Sequence, residues 1–111
     1  MESVRQSKVN RLLQKELAEI FRSEAKTLFQ GAFISVTQVR VSPDLGFAKV
    51  YLSIMVSKNV EKVLELIKSQ EFAIKKLLIA KIRNQFKTMP ELAFFIDDSL
   101  DYADRINQLL K

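Results

Sequence analysis

The chain has 111 residues, 48% of them apolar and 28% charged, with a formal net charge of +5; a chain this long is expected to form one domain, residues 1–111, burying roughly 65% of its unfolded surface. It contains no cysteine and no histidine, which excludes disulfides, thiolate zinc sites, a cysteine nucleophile and the commonest general base and metal ligand. No apolar run approaches the ~20 residues of a membrane span, and the polar start after Met1 does not read as a signal peptide, so a cytoplasmic protein is expected.

In chain order, Val9, Leu13, Leu17, Ile20, Phe21 and Leu28 recur at three- and four-residue steps, which predicts one amphipathic helix over Arg5–Phe29. Ser3 or Ser7 would cap its start and Gly31 would end it. Strands follow over Phe33–Val41 and Phe47–Val56; in the second, Ala48, Val50, Leu52 and Ile54 alternate with Lys49, Tyr51, Ser53 and Met55, so one face is buried. Between them, Ser42-Pro43-Asp44-Leu45-Gly46 reads as a tight turn, Pro43 and Gly46 pre-setting the reversal. Val60, Val63, Leu64 and Ile67 predict a short helix capped by Ser57 or Asn59, and Ile74, Leu77, Leu78, Ile82 and Phe86 another. Pro90 stops that helix and opens a third strand on Leu92, Phe94 and Ile96. Ser99 is expected to cap a final short helix carrying Leu100, Ile106, Leu109 and Leu110, with Asp101 in its first turn.

The order helix–strand–strand–helix–helix–strand predicts an α+β fold of the type-II KH class, a three-stranded sheet covered by helices on one face. Ferredoxin-like domains do not place two adjacent helices before the last strand. The wording of the strand blocks is more specific. Val41–Ser53 (VSPDLGFAKVYLS) and Pro90–Leu100 (PELAFFIDDSL) resemble the bacterial ribosome-binding factor A family, and the resemblance runs from about Lys8 to Leu110. It implies the type-II KH variant in which a helix–kink–helix replaces the Gly-x-x-Gly loop. It also implies a non-catalytic assembly factor that binds free, immature 30S subunits and their 16S rRNA late in processing, with importance for growth in the cold. The expected partners are that RNA and that subunit, with no cofactor, no membrane and a monomeric state.

Binding residues follow from charge placement. Lys68, Lys75, Lys76, Lys81, Arg83 and Lys87 face a single acid, Glu71, whereas five acids and no base lie between Glu91 and Asp104. At 100° per residue, Lys76, Arg83 and Lys87 share an arc opposite Ile74, Leu78 and Ile82, with Lys75 flanking and Ala80 keeping the surface low. Lysine supplies point-charge phosphate contacts and arginine a planar bidentate one. Lys8, Arg11 and Lys15 form a second basic stripe on the first helix, and Lys8 matches a basic position of the family. The kink is expected at Phe72-Ala73-Ile74, although the glycine of the family's alanine-x-glycine signature is absent, Lys75 standing there.

Other features carry less. Asp97 and Asp98, neighbours on a strand, point to opposite faces and do not converge on a metal or a proton; the expected metal ligands and catalytic residues are none. Tyr51, Phe94 and Phe95 raise a base-stacking platform, but most of these aromatics are expected in the core, with Phe47 and Phe95 left open. Two other classes compete with the assembly factor. A general KH-type single-stranded RNA binder would need the missing Gly-x-x-Gly, and a protein-interaction adaptor would keep its partner after nuclease treatment. An enzyme is a distant third.

Overall fold

The computed structural model describes residues 2–55, 59–85 and 89–97. Helix α1 runs Val4–Ser23 and a single turn, α2, spans Ala25–Leu28. Strands β1 (Phe33–Val41) and β2 (Phe47–Met55) precede helices α3 (Val60–Ser69) and α4 (Glu71–Ile82), and β3 covers Glu91–Ile96. The sheet order is β1-β2-β3, with β1 antiparallel and β3 parallel to β2. Parallel pairing of β2 and β3 requires a crossover, which α3 and α4 supply. The α+β, KH-like order expected from the sequence is therefore the order observed. The final helix expected after Ser99 lies outside the described residues.

Local chemistry explains the helix ends. Ser3 caps α1: its Oγ accepts from Gln6 N at 3.1 Å, while the Gln6 side chain accepts from Ser3 N at 2.9 Å, a reciprocal capping box. Asn59 caps α3, its Oδ1 accepting from Glu61 N at 2.9 Å. The first helix does not continue to Phe29. Glu24 (φ −102°, ψ 14°) interrupts it, so Leu28 is only half-buried on a separate turn, whereas Phe29 is fully buried and packs on Phe21, ring centroids 5.1 Å apart. Gln30 and Gly31 then take φ of 54° and 81°, a left-handed reversal that turns the chain into β1.

One apolar core joins the helices to a single face of the sheet. Leu13, Leu17, Phe21, Val50, Leu52, Ile67, Ile74, Leu78 and Ile82 are fully buried within it. The outer edge of β1 is met by three amides of α1 spaced four residues apart. Gln6 Nε2 donates to Val41 O at 3.2 Å, Asn10 Oδ1 accepts from Val41 N at 2.8 Å, and Gln14 Nε2 donates to Val36 O at 3.2 Å. Backbone groups that no strand meets are thereby satisfied. Gln6 is the only buried polar residue among those described.

Two local expectations change. In the β1–β2 turn the left-handed residue is Leu45 (φ 61°), not Gly46. At Gly46 a Cβ would stand 3.3 Å from Asp44 Oδ1, close enough that the carboxylate would have to shift by a few tenths of an ångström to admit it. The break between α3 and α4 falls at Gln70 (φ −98°, ψ 13°), so Phe72, Ala73 and Ile74 lie in the first turns of a regular α4. Without a glycine, Gln70 takes the sparsely populated region near ψ of zero. Its N–H is shared between Leu66 O and Ile67 O, and its own carbonyl accepts from Ile74 N at 2.9 Å.

Candidate nucleic-acid interface

Helices α1 and α4 pack side by side on the sheet, so their outward faces form one surface. On α1 the core side is Val9, Leu13, Leu17 and Ile20, and Lys8, Arg11 and Lys15 are exposed on the other. On α4 the core side is Ile74, Leu78 and Ile82, and Lys76 and Arg83 are exposed. Arg83 is the C-cap residue, still in helical geometry (φ −54°, ψ −29°), where a cation complements the negative end of the helix dipole. Helix α4 ends at Ile82, and Lys87 lies outside the described residues.

The two basic stripes meet. Lys81 of α4 stands 3.9 Å from Glu16 of α1. The Glu19 carboxyl is held below the ordinary glutamate range chiefly by its hydrogen bond from Arg22 at 2.6 Å, with Lys81 and Lys15 adding attraction. Lysines from both helices therefore crowd one short acidic seam, and the sequence offered no sign of that meeting. Lys75 behaves differently from its neighbours: it is half-buried, with Nζ 3.3 Å from Glu91 Oε1 at the start of β3. Its charge is partly spent inside the protein.

The outward face of α4 is not only basic. Phe72 is 78% exposed and Ile79 39%, and the Lys76 ammonium sits 5.9 Å from the centre of the Phe72 ring, within cation–π range. The family resemblance placed Phe72 in a kink; in the fold it is an exposed ring beside the Lys76 ammonium, a group that can stack on a base or a sugar. What this surface offers is phosphate-directed charge with one aromatic plane.

The remaining sequence candidates separate clearly. Phe94 is buried, edge-to-face with Phe21 at 6.2 Å. Tyr51 and Phe95 instead lie together on the sheet face away from the helices, ring centroids 5.7 Å apart. Asp97 accepts from Thr37 Oγ1 at 2.6 Å, and Asp98 lies outside the described residues. Among the described residues no group of three or more acidic side chains gathers to hold a metal ion, and no described helix is long and apolar enough to cross a membrane.

Comparison with known proteins extends this picture. The family profile described as Ribosome-binding factor A matches residues 5–110. A curated relative named Ribosome-binding factor A, from Cytophaga hutchinsonii, is 48% identical over 110 residues, covering 99% of this chain and 83% of its own. Among solved structures, the crystal structure of ribosome-binding factor A from Thermus thermophilus superposes with a TM-score of 0.68 at 20% identity, over 82% of this chain and 94% of that one. Coordinates of the Thermus thermophilus factor fitted into a cryo-EM map of a 30S–RbfA complex align with a TM-score of 0.64 at 22% identity, over 88% of this chain and 97% of that one.

Proposed function

The chain belongs to the ribosome-binding factor A family, named for binding rather than for any reaction, and from that premise we propose that it binds the small ribosomal subunit. The observation that carries this reading is the family match across residues 5–110. The fitting of a structural neighbour into a 30S complex supports the same choice of partner. In this reading the protein acts as a cytoplasmic monomer on immature 30S particles and contacts 16S rRNA. It assists late maturation of that RNA, with the greatest demand in the cold.

Mechanism follows from the helical surface. Lys8, Arg11 and Lys15 on α1 and Lys76 and Arg83 on α4 reach RNA phosphates, with Lys87 extending the set. Lys75, engaged with Glu91, contributes less. A rigid domain that binds one arrangement of flexible RNA better than the others shifts the population toward it. Side-chain electrostatics replace the glycine clamp of ordinary KH domains, so affinity tracks phosphate placement more than base sequence.

Sedimentation tests the reading. In a sucrose gradient of cell lysate at low salt, the chain is expected to travel with free small subunits and not with full ribosomes. Migration at the top of the gradient, or a partner that survives nuclease digestion of the RNA, would overturn it.

A further inference from the structure

The face of the sheet turned away from the helices has its own composition. Residues of β2 alternate there as Phe47, Lys49 and Tyr51, and cross-strand pairing sets Arg40 opposite Lys49 and Gln38 opposite Tyr51 on β1. On β3, Ala93 pairs with Lys49 and Phe95 with Tyr51. Tyr51 and Phe95 lie 5.7 Å apart with their planes 30° from parallel, and Phe95 and Phe47 are 41% and 40% exposed. No described element packs on these rings from outside.

Two features make this more than scattered surface apolar groups. Arg40 and Lys49 are like charges directly across an antiparallel pair, an arrangement that opposes folding. Neither takes part in a salt bridge among the described residues. An anion placed between them converts the repulsion into binding. Arg40 is also pre-oriented: with the Gln38 amide oxygen turned toward the guanidinium, it accepts from Nε at 2.7 Å and Nη2 at 3.0 Å. The acids of the same face are engaged, Glu91 with Lys75 and Asp97 with Thr37.

We propose that this open sheet face is a second RNA-binding surface, where single-stranded bases stack on Tyr51 and Phe95 while Arg40 and Lys49 hold the adjoining phosphate. Alternate residues of a strand are about 7 Å apart, so Lys49 sits beside the rings and within reach of a phosphate joined to a stacked base. Ala93 keeps the row low between the Lys49 ammonium and Phe95. Stacking needs an unpaired base, so the ligand is a single strand and not a duplex. The choice of RNA over DNA rests on the ribosomal reading above; the geometry itself asks only for an unpaired, phosphate-linked strand.

The test uses the full chain and two labelled probes, an oligouridylate about eight nucleotides long and an RNA duplex, followed by fluorescence anisotropy. Tyr51→Leu and Phe95→Leu keep apolar bulk on the strands. Together they are expected to weaken single-strand binding about tenfold or more and leave duplex binding, which offers no unpaired base to stack, unchanged. Arg40→Gln with Lys49→Gln should flatten the salt dependence for the single strand by roughly 1 to 2 in log–log slope. Should the leucine variants unfold, ring resonances of Tyr51 and Phe95 in the unsubstituted chain are expected to shift on titration with oligouridylate. Unchanged affinity in folded variants, or rings unmoved at saturation, would overturn the proposal. So would rings shielded from a soluble paramagnetic probe in the free protein, because another part of the chain or a second copy would then cover the face. Lost subunit binding with intact oligouridylate binding would identify a protein partner and overturn it too. The oligouridylate, duplex and ring-resonance readouts do not depend on subunit sedimentation, so the two readings fail separately.

Discussion

Single side chains at the chain reversals carry consequences that can be measured. Asp44 Oδ1 accepts from Ser42 Oγ at 2.6 Å and from Gly46 N at 3.0 Å, and Ser42 Oγ in turn accepts from Phe47 N at 3.0 Å. The Ser42 hydroxyl and then the Gly46 N–H hold the Asp44 carboxyl below its ordinary value of 3.8. A carboxyl with a depressed folded-state pKa stabilises above its unfolded pKa and loses that contribution as pH falls through the folded value. The expected outcome is that Asp44→Asn lowers the melting temperature at neutral pH. Below pH 3.8 the gap to the unsubstituted protein should narrow, which melting curves across an acid series would reveal. Gln6 is the second case. Its amide serves Val41 O and Ser3 N at once, so Gln6→Ala strands a buried carbonyl and half a capping box. A loss of roughly 1–3 kcal/mol is expected from urea unfolding, with Lys8→Ala, two positions along on the exposed side, nearly neutral as a control.

Helix α4 shows how an element divides its labour. Its inward row of Ile74, Leu78 and Ile82 is fully buried, while Phe72, Lys76 and Ile79 point out. Apolar residues therefore surround much of the helix, and the row of Ile74, Leu78 and Ile82 opposite Lys76 and Arg83 is what marks its inward side. Leu78→Ala removes methyl groups from a close-packed site and should cost roughly 2–5 kcal/mol. Lys76→Ala should change stability by less than about 0.5 kcal/mol. Similar thermal shifts for the two would place the basic row on the wrong side of the helix. The break ahead of α4 matters for the same reason: at Gln70 rather than Phe72 it leaves Phe72 in regular helix one turn before Lys76, which is what sets ring and ammonium together.

For the molecule as a whole, two chemically different surfaces lie on opposite sides of the sheet. The helical side offers lysines and arginines from α1 and α4; the open side offers two adjacent, tilted rings with a pair of cations. Removing Lys15, Lys76 and Arg83 together leaves the core untouched, since all three are exposed. If they meet phosphates, the log–log salt slope for binding to free small subunits should fall by roughly 2. A folded triple variant with unchanged affinity and slope would shift the contact away from the helices. Measuring the same variant with a short single strand separates the two sides, because the sheet platform should keep its affinity.

Most of the elements were legible along the chain because their causes are local. Periods of 3.6 and 2 are written in neighbouring residues, Ser3 and Asn59 sit at the starts they cap, and Pro90 precedes the strand it opens. The strand blocks VSPDLGFAKVYLS and PELAFFIDDSL pointed to the family for a related reason: they carry turn and strand together in one short run. What needed the folded chain were relations between distant residues. Alternation along β2 separates Tyr51 from Leu52 but does not say which face the helices cover; the packing of α1, α3 and α4 decides that. Charge counting could not show that Lys75 reaches Glu91, that Lys81 reaches Glu16, or that Arg40 and Lys49 stand side by side. Ion pairing depends on separation in space, and Lys75 and Glu91 are sixteen positions apart in the chain. The same holds for Leu45, whose left-handed backbone persists because its side chain packs against the core, a constraint that no neighbouring residue announces.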